Sequence, residues 1–454
     1  MCGIFGIYNN AKAAELATLG LFAEQHRGQE SCGMAVNDGI SIKLRKKMGL
    51  VKDVFRINKL AQLQGNIAIG HVRYPTRGDS SEYNSQPHLV ETLSGPSYTL
   101  TSNGDIVNYE ELRKVLESKG VYFVSTNDGE LILKYIVYQV EKKNKTILEA
   151  IKKMMKYVKG SYSSILATKN EMYIFRDPYG FRPLVFGELE QGETVAASES
   201  CALDILNPAW LKEVEPAEII IVNEKGRTSY RNDPNQLRNS ANCRHCIFEH
   251  IYFSRPDSFI FGENVYAVRQ NIGKKLAESC NLEADLVVPV PDSSNFIALG
   301  YARAKGIPYE MGLIRNHYVG RTFIKPEQTI RDESVRQKFN PLPNFFLNKR
   351  IILIDDSIVR GTTLKKLVKL IKKAGASEVH LLIGSPPVKH SCYYGIDTPT
   401  RTELIANNKN IAEIRQFIGA DSLRYLTIDE LSSTVKEPDE YCYACFNGKY
   451  PVTR

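Results

Sequence analysis

The chain has 454 residues, 43% of them hydrophobic and 24% charged, an ordinary globular composition with room for two or three domains. No stretch near the ~20 residues needed to cross a bilayer is free of charge, and no basic segment precedes an apolar one at the N-terminus; the cytoplasm follows by default, with no membrane span or secretory signal expected. The net charge of +8 comes from lysines scattered along helical stretches such as Lys142-Lys143-Asn144-Lys145, without an aromatic-interleaved basic patch, so it reads as a solvated surface and not as a nucleic-acid interface.

Residues 2–8 read as an apolar strand opening on Met1-Cys2-Gly3. If Met1 is removed, Cys2 carries a thiol and an α-amine on one residue, with reference pKa values of about 8.5 and about 7.7–8.0. The amine can then take the thiol proton and later return it to a leaving amine. With Met1 retained that base is lost, and a cysteine inside a small apolar strand is the plainer reading of these residues alone.

A helix is expected over Ala13 to Glu24, ended by the polar His26-Arg27-Gly28 turn. Strands follow at Gly33 to Val36, Ile40 to Leu44 and Ile67 to Arg73, the first two joined by Asn37-Asp38-Gly39. Tyr98 to Thr101 runs into Asn103-Gly104. Helices are expected at Tyr109 to Lys119, Glu130 to Val140 (with Asp128 just before it) and Ile147 to Val158. Short strands return at Ser163 to Ala167 and Met172 to Phe175, followed by Arg176 to Leu184 and Ala197 to Ser200. Strands, then helices, then strands suggest an αββα sandwich, two antiparallel sheets between helical layers. The polar, proline-broken run Arg231–Asn242 reads as a linker, dividing the chain into residues 2–230 and 243–454.

The second half changes rhythm. Leu286 to Pro291, Ile351 to Ile354 and Val379 to Gly384 are unalternating apolar runs, as in buried parallel strands. Helices alternate with them at Val265 to Ser279, Phe296 to Lys305 and Thr362 to Ala374, giving a doubly wound α/β domain. In Ile351-Ile352-Leu353-Ile354-Asp355-Asp356-Ser357-Ile358-Val359-Arg360-Gly361-Thr362-Thr363 a buried strand ends in two carboxylates, followed by a small hydroxyl-rich loop and a helix. Such a strand end is where ligands bind in these sheets. The helix start suits a phosphate, and the carboxylates suit ribose hydroxyls or magnesium.

Several motifs add to this reading. Gly70-His71-Val72-Arg73-Tyr74-Pro75, Ser102-Asn103-Gly104-Asp105, Thr126-Asn127-Asp128-Gly129-Glu130 and His26-Arg27-Gly28-Gln29-Glu30-Ser31 resemble the glutamine amidotransferases whose N-terminal cysteine is the nucleophile. The chemistry makes sense of the set: Arg73 suits the glutamine carboxylate through its bidentate fork and Asp128 suits its ammonium. Asn103 with the Gly104 N–H can hold the oxyanion of the tetrahedral intermediate. The thirteen residues from Ile351 resemble the 5-phosphoribosyl-1-pyrophosphate (PRPP) fingerprint of type I phosphoribosyltransferases. Pro289 to Ser294 then falls where that family keeps its pyrophosphate loop, and Arg315 to Pro326 resembles the loop that closes over PRPP, where closure would exclude water.

Together the two halves, from residue 2 to about residue 450, resemble the amidophosphoribosyltransferase family. The resemblance implies an N-terminal-nucleophile hydrolase sandwich followed by a type I phosphoribosyltransferase sheet, making 5-phosphoribosylamine, glutamate and pyrophosphate from glutamine, PRPP and water at the first step of purine synthesis. It implies Cys2 as nucleophile, Ser293, Asp355 and Asp356 at a magnesium site, the two aspartates on the ribose diol, and Ser357 to Thr363, with Arg360, Gly361 and Thr362, around the 5′-phosphate. It also implies a homotetramer and purine nucleotide inhibitors.

Cys243-Arg244-His245-Cys246 and Cys442-Tyr443-Ala444-Cys445 are two Cys-x-x-Cys pairs, whose spacing alone suggests a four-cysteine zinc site. The resemblance points elsewhere: one branch of the family carries a [4Fe–4S] cluster, and Cys246, Cys392, Cys442 and Cys445 stand at its ligand positions, leaving Cys243 spare. Zinc stays as the alternative. Cluster-bearing relatives often carry a short propeptide; here only Met1 precedes Cys2, so maturation is expected to need methionine removal alone. Cys32, Cys201 and Cys280 read as small buried hydrophobes. Two other classes compete: a PRPP-sensing regulator without chemistry, which predicts loss of Cys2 or of the closing-loop cations, and an ammonia-using transferase with an inert first half.

Overall fold

The computed structural model describes residues 1–453 apart from 76, 94, 232–242 and 319–336. The expected linker from residue 232 on, and the expected closing loop from Val319 on, lie outside the described residues.

The first half holds two antiparallel sheets. One has seven strands in the order 210–213, 185–188, 194–197, 3–8, 67–73, 31–37 and 42–48; the other has six, ordered 226–231, 218–223, 172–176, 160–167, 95–106 and 88–92. Their inner faces interdigitate through Ile4, Ile67 and Ile69 from one sheet and Ile165, Ile174 and Ile220 from the other, all fully or almost fully buried. Helix Ala13–Ala23 covers the outer face of the seven-stranded sheet, packing Ala17 and Leu21 on Phe5 and Val72. Helices Tyr109–Glu117, Asp128–Lys143 and Ile147–Tyr157 cover the other. This is the expected αββα sandwich, and most elements fall within a few residues of their predicted bounds.

Two differences carry weight. The strand predicted at Tyr98 to Thr101 runs from Gly95 to Ile106, so Asn103-Gly104 sits inside a strand. The helix predicted from Glu130 begins at Asp128, because the Asn127 side chain accepts from the Gly129 N–H and caps the turn earlier.

The second half is built on four parallel strands ordered 286–289, 350–355, 378–383 and 422–425. The fourth was not foreseen: Ser422-Leu423-Arg424-Tyr425 has too little apolar character, and it lies at the sheet edge. Helix Val265–Ser279 packs closely on helix Asn295–Lys305, their contact closed by Gly273 and Gly300. A Cβ on Gly273 would stand 1.9 Å from the Ile297 carbonyl oxygen.

The halves meet through buried charges. Arg27 is paired with Glu199 and donates to Glu249 at 3.1 and 2.9 Å. Arg182 reaches Glu249 at 3.4 Å and donates to the Tyr394 carbonyl at 2.7 Å. All four of these charged side chains are fully buried. Such groups are tolerated only because each is paired; removing one partner of such a set typically costs about 3–5 kcal/mol.

Candidate active sites

Register brings the first site together. Gly3 lies opposite Val72 in the antiparallel pair of strands Gly3–Tyr8 and Ile67–Arg73, so Cys2 falls beside Arg73 and Tyr74. Asn103 comes from the facing sheet. The Cys2 Sγ lies 3.5 Å from the Tyr74 carbonyl oxygen, and the Cys2 N–H donates to Asn103 Oδ1 at 3.2 Å. With its oxygen so engaged, the Asn103 amide nitrogen is buried without a partner. A buried amide donor left unpaired is costly unless something else uses it. Gly104 admits no side chain: a Cβ there would stand 1.9 Å from the Ser161 carbonyl oxygen.

Burial pushes the Cys2 thiol up, and Asp128 does the same; the positive N-terminus, the Tyr74 backbone and Arg73 oppose them. Arg73 is itself almost fully buried, donating to Glu30 at 2.7 Å and to the carbonyls of Asp79, Arg77 and Gly78 at 3.1, 2.9 and 3.3 Å. Its fork therefore holds its own loop. Burial and the Asp105 carboxylate push Asp128 up to about 7, against Arg77. Sequence reasoning missed two groups: Tyr74, whose carbonyl faces the thiol, and Arg27, whose Nε donates to the Cys2 carbonyl at 2.9 Å. Only their place inside quoted motifs pointed to them.

The second site lies where two parallel strands end together. Pro289 pairs with Ile354, so the loop after one meets the loop after the other. Ser293 Oγ donates to Asp356 at 2.5 Å and Ser294 Oγ to Asp355 at 3.1 Å. Burial, then the neighbouring Asp356, push the Asp355 carboxyl well above the carboxylate range; burial also raises Asp356, against hydrogen bonds from Ser293 and Ser357 and the charge of Arg269. Two adjacent carboxylates in that state are a donor set that calls for a cation. Gly361 has φ of +73° and leads into helix Thr362–Lys373, whose first residues, Thr362 and Thr363, are exposed. Arg360 is turned outward onto Glu403, at 3.0 and 2.7 Å.

Cys246, Cys392, Cys442 and Cys445 line one cavity with Arg182 and Tyr394. Strand residues 245–246 and 441–442 pair in parallel, setting Cys246 beside Cys442. Cys32, Cys201 and Cys280 are buried, as expected.

Comparison with known proteins finds a match for each half. Residues 71–204 match a glutamine amidotransferase domain model and residues 263–385 a phosphoribosyl transferase domain model. An amidophosphoribosyltransferase of Synechocystis is 46% identical over 458 residues, covering 100% of this chain and 91% of its own. The chain belongs to the amidophosphoribosyltransferase family. The Bacillus subtilis amidophosphoribosyltransferase is 44% identical, covering 99% of this chain and 94% of its own. A solved structure of glutamine PRPP amidotransferase from B. subtilis, complexed with ADP and GMP, superposes with a TM-score of 0.90 at 42% identity, covering 99% of this chain and 97% of that one. A solved allosteric regulatory enzyme of purine biosynthesis superposes with 0.91 at 43% identity, covering 99% and 96%. As an amidophosphoribosyltransferase, the chain is a glutamine-dependent transferase that hydrolyses glutamine and passes the ammonia to PRPP, giving 5-phosphoribosylamine, glutamate and pyrophosphate at the first step of purine synthesis.

Proposed function

We propose that residues 2–230 carry the glutamine reaction and residues 243–454 the PRPP reaction, with Cys2 as the nucleophile once Met1 is removed. The orphaned amide donor of Asn103 is the observation that carries this reading. The Cys2 nitrogen, already bonded to Asn103 Oδ1, becomes the α-amine and takes the thiol proton. The thiolate attacks the glutamine carboxamide, and Asn103 Nδ2 with the Gly104 N–H receives the oxyanion. Asp128 holds the glutamine ammonium. Arg73 fixes the loop that borders the carboxylate and meets the carboxylate itself when that loop yields its carbonyls. Ammonia leaves and water hydrolyses the thioester.

At the second site, Asp355 and Asp356 grip the ribose diol, and Ser357, Arg360, Gly361, Thr362 and Thr363 cradle the 5′-phosphate at the helix start. Ser293, Asp355 and Asp356 would hold magnesium, which when bound supplies positive charge to the departing pyrophosphate. Gly395, with φ of +92°, lies against the Gly104 backbone, where a Cβ would stand 2.9 Å away. The oxyanion glycine thus rests on the second half, and ammonia passes from one half to the other across that seam.

Cys246, Cys392, Cys442 and Cys445 would hold a [4Fe–4S] cluster with a structural role, tying the tail to the start of the second half. Among the described residues no three of these thiols lie within 4.8 Å of one another. Four thiolates around one cavity are the ordinary ligand set of such a cluster and support this reading, with a four-cysteine zinc as the alternative. We further propose a cytoplasmic homotetramer inhibited by purine nucleotides; the ADP and GMP bound to the B. subtilis enzyme support the last point.

Pyrophosphate release with glutamine and with ammonia, compared in Cys2→Ala, tests the division. Glutamine-dependent release should fall at least about 10³-fold while ammonia-dependent release persists. Loss of both together, or survival of glutamine use, would overturn it.

A further inference from the structure

We propose that Cys243, His245 and Glu440 form a second metal site, for one zinc-type divalent cation, separate from the four-thiol cavity. The Cys243 Sγ, a ring nitrogen of His245 and a carboxylate oxygen of Glu440 all lie within 4.8 Å of one another. Cys243 does not line the cavity of the other four thiols.

The histidine is prepared for ligation. Its Nδ1 lies 2.8 Å from the Gly180 carbonyl oxygen. A carbonyl only accepts, so the shorter contact puts the hydrogen on Nδ1, against a longer approach of the Arg176 guanidinium to the same nitrogen at 3.4 Å, and leaves the lone pair on Nε2. Nε2 stands 3.9 Å from the Glu440 carboxylate. Ligating histidines are commonly fixed in this way, through the other ring nitrogen. The ring is also held in plane: it stacks on Phe261 with centroids 4.3 Å apart and meets Tyr441 edge-on at 5.8 Å.

Thiolate, imidazole and carboxylate together suit zinc at about 2.0–2.3 Å per ligand, with a fourth position left for water. The distances found need only small side-chain movements to close on one ion. Cys243 and Glu440 are each only partly buried, so they can make them. The position gives the cation a task. Residues 245–246 pair in parallel with 441–442, and Arg244 donates to the Asp439 carbonyl at 3.3 Å. A cation here would pin the entry of the second half to the C-terminal segment at a point outside the cluster cavity, and would give Cys243 a role.

The test uses the full chain with its iron content recorded, cleared of loose metal by chelation and titrated with Co²⁺ alone. One Co²⁺ per chain should give a thiolate-to-cobalt charge-transfer band, displaced by one equivalent of Zn²⁺. Cys243→Ser should abolish that band, and Glu440→Gln should weaken Co²⁺ binding at least about tenfold, both with the iron content and the melting temperature of the chelated protein unchanged and with the rise in melting temperature on adding Co²⁺ lost or reduced. If the four-thiol cavity holds no iron and takes cobalt instead, that band will survive Cys243→Ser and vanish in Cys445→Ser, so the two sites are counted separately. Absence of any cobalt–thiolate band that depends on Cys243 overturns the proposal.

Discussion

The two candidate sites are finished to different degrees. Around Cys2 the protein supplies nearly everything from rigid strands: the thiol, the Asn103 amide, the Gly104 backbone and a loop already fastened by Arg73. The Asn103 amide there is a neutral donor with no partner among the described residues. Around Asp355 and Asp356 the protein supplies mutually repelling carboxylates that burial and proximity drive toward the neutral form. The first site is preorganised for charge that develops during reaction; the second is complementary to charge that arrives with the ligand. A neutral acyl group must be activated where it binds, whereas a pyrophosphate brings its own charge and counter-ion.

That contrast can be broken at several points. The largest effect is expected from Asn103→Ala: steady-state kinetics should show glutamine-dependent kcat lower by about 10²–10³-fold with KM little changed, because the donor matters only once the oxyanion forms. A change confined to KM would mean that Asn103 serves ground-state binding instead.

Asp355→Asn should cut PRPP-dependent turnover at least about tenfold, yet raise the melting temperature in magnesium-free buffer near neutral pH. The sign follows from the raised carboxyl. The folded protein favours the protonated form, so stability from this group is present at low pH and is lost as pH rises through the folded-state value. Asparagine removes that loss. A fall in melting temperature would contradict the idea of carboxylates held in mutual repulsion.

The smallest effect concerns Asp128. With its carboxyl pushed up to about 7, much of it is neutral at pH 7 and cannot hold an ammonium group. KM for glutamine should therefore fall several-fold between about pH 6 and about pH 8, while ammonia-dependent turnover at constant free NH₃ lacks that dependence. A KM flat across this range would remove Asp128 from the ammonium site.

Much of this was legible beforehand because periodicity and strand-end motifs are local. The amphipathic helices, the apolar parallel strands and the Asp355-Asp356 strand end each announce themselves within a dozen residues. What stayed hidden depends on register and on distant partners. Asn103-Gly104 reads as lying beyond the end of a short strand until the Gly95–Ile106 strand is seen paired to Gly160–Ala167. Arg73 reads as a fork for the glutamine carboxylate until Glu30 and its own loop are seen to occupy it. The Arg27–Glu199–Glu249–Arg182 set joins residues up to 222 positions apart, and no spacing rule connects them. Cys243 looked spare only because its partners, His245 and Glu440, are a neighbour and a residue near the far end of the chain.

We propose that the thiol works only with its own α-amine beside it. The most direct measurement is intact mass of the purified chain, with glutamine hydrolysis assayed on separated fractions that begin at Cys2 and at Met1. Hydrolysis is predicted only in the fraction beginning at Cys2. Equal hydrolysis by a chain that still carries Met1 would contradict the account.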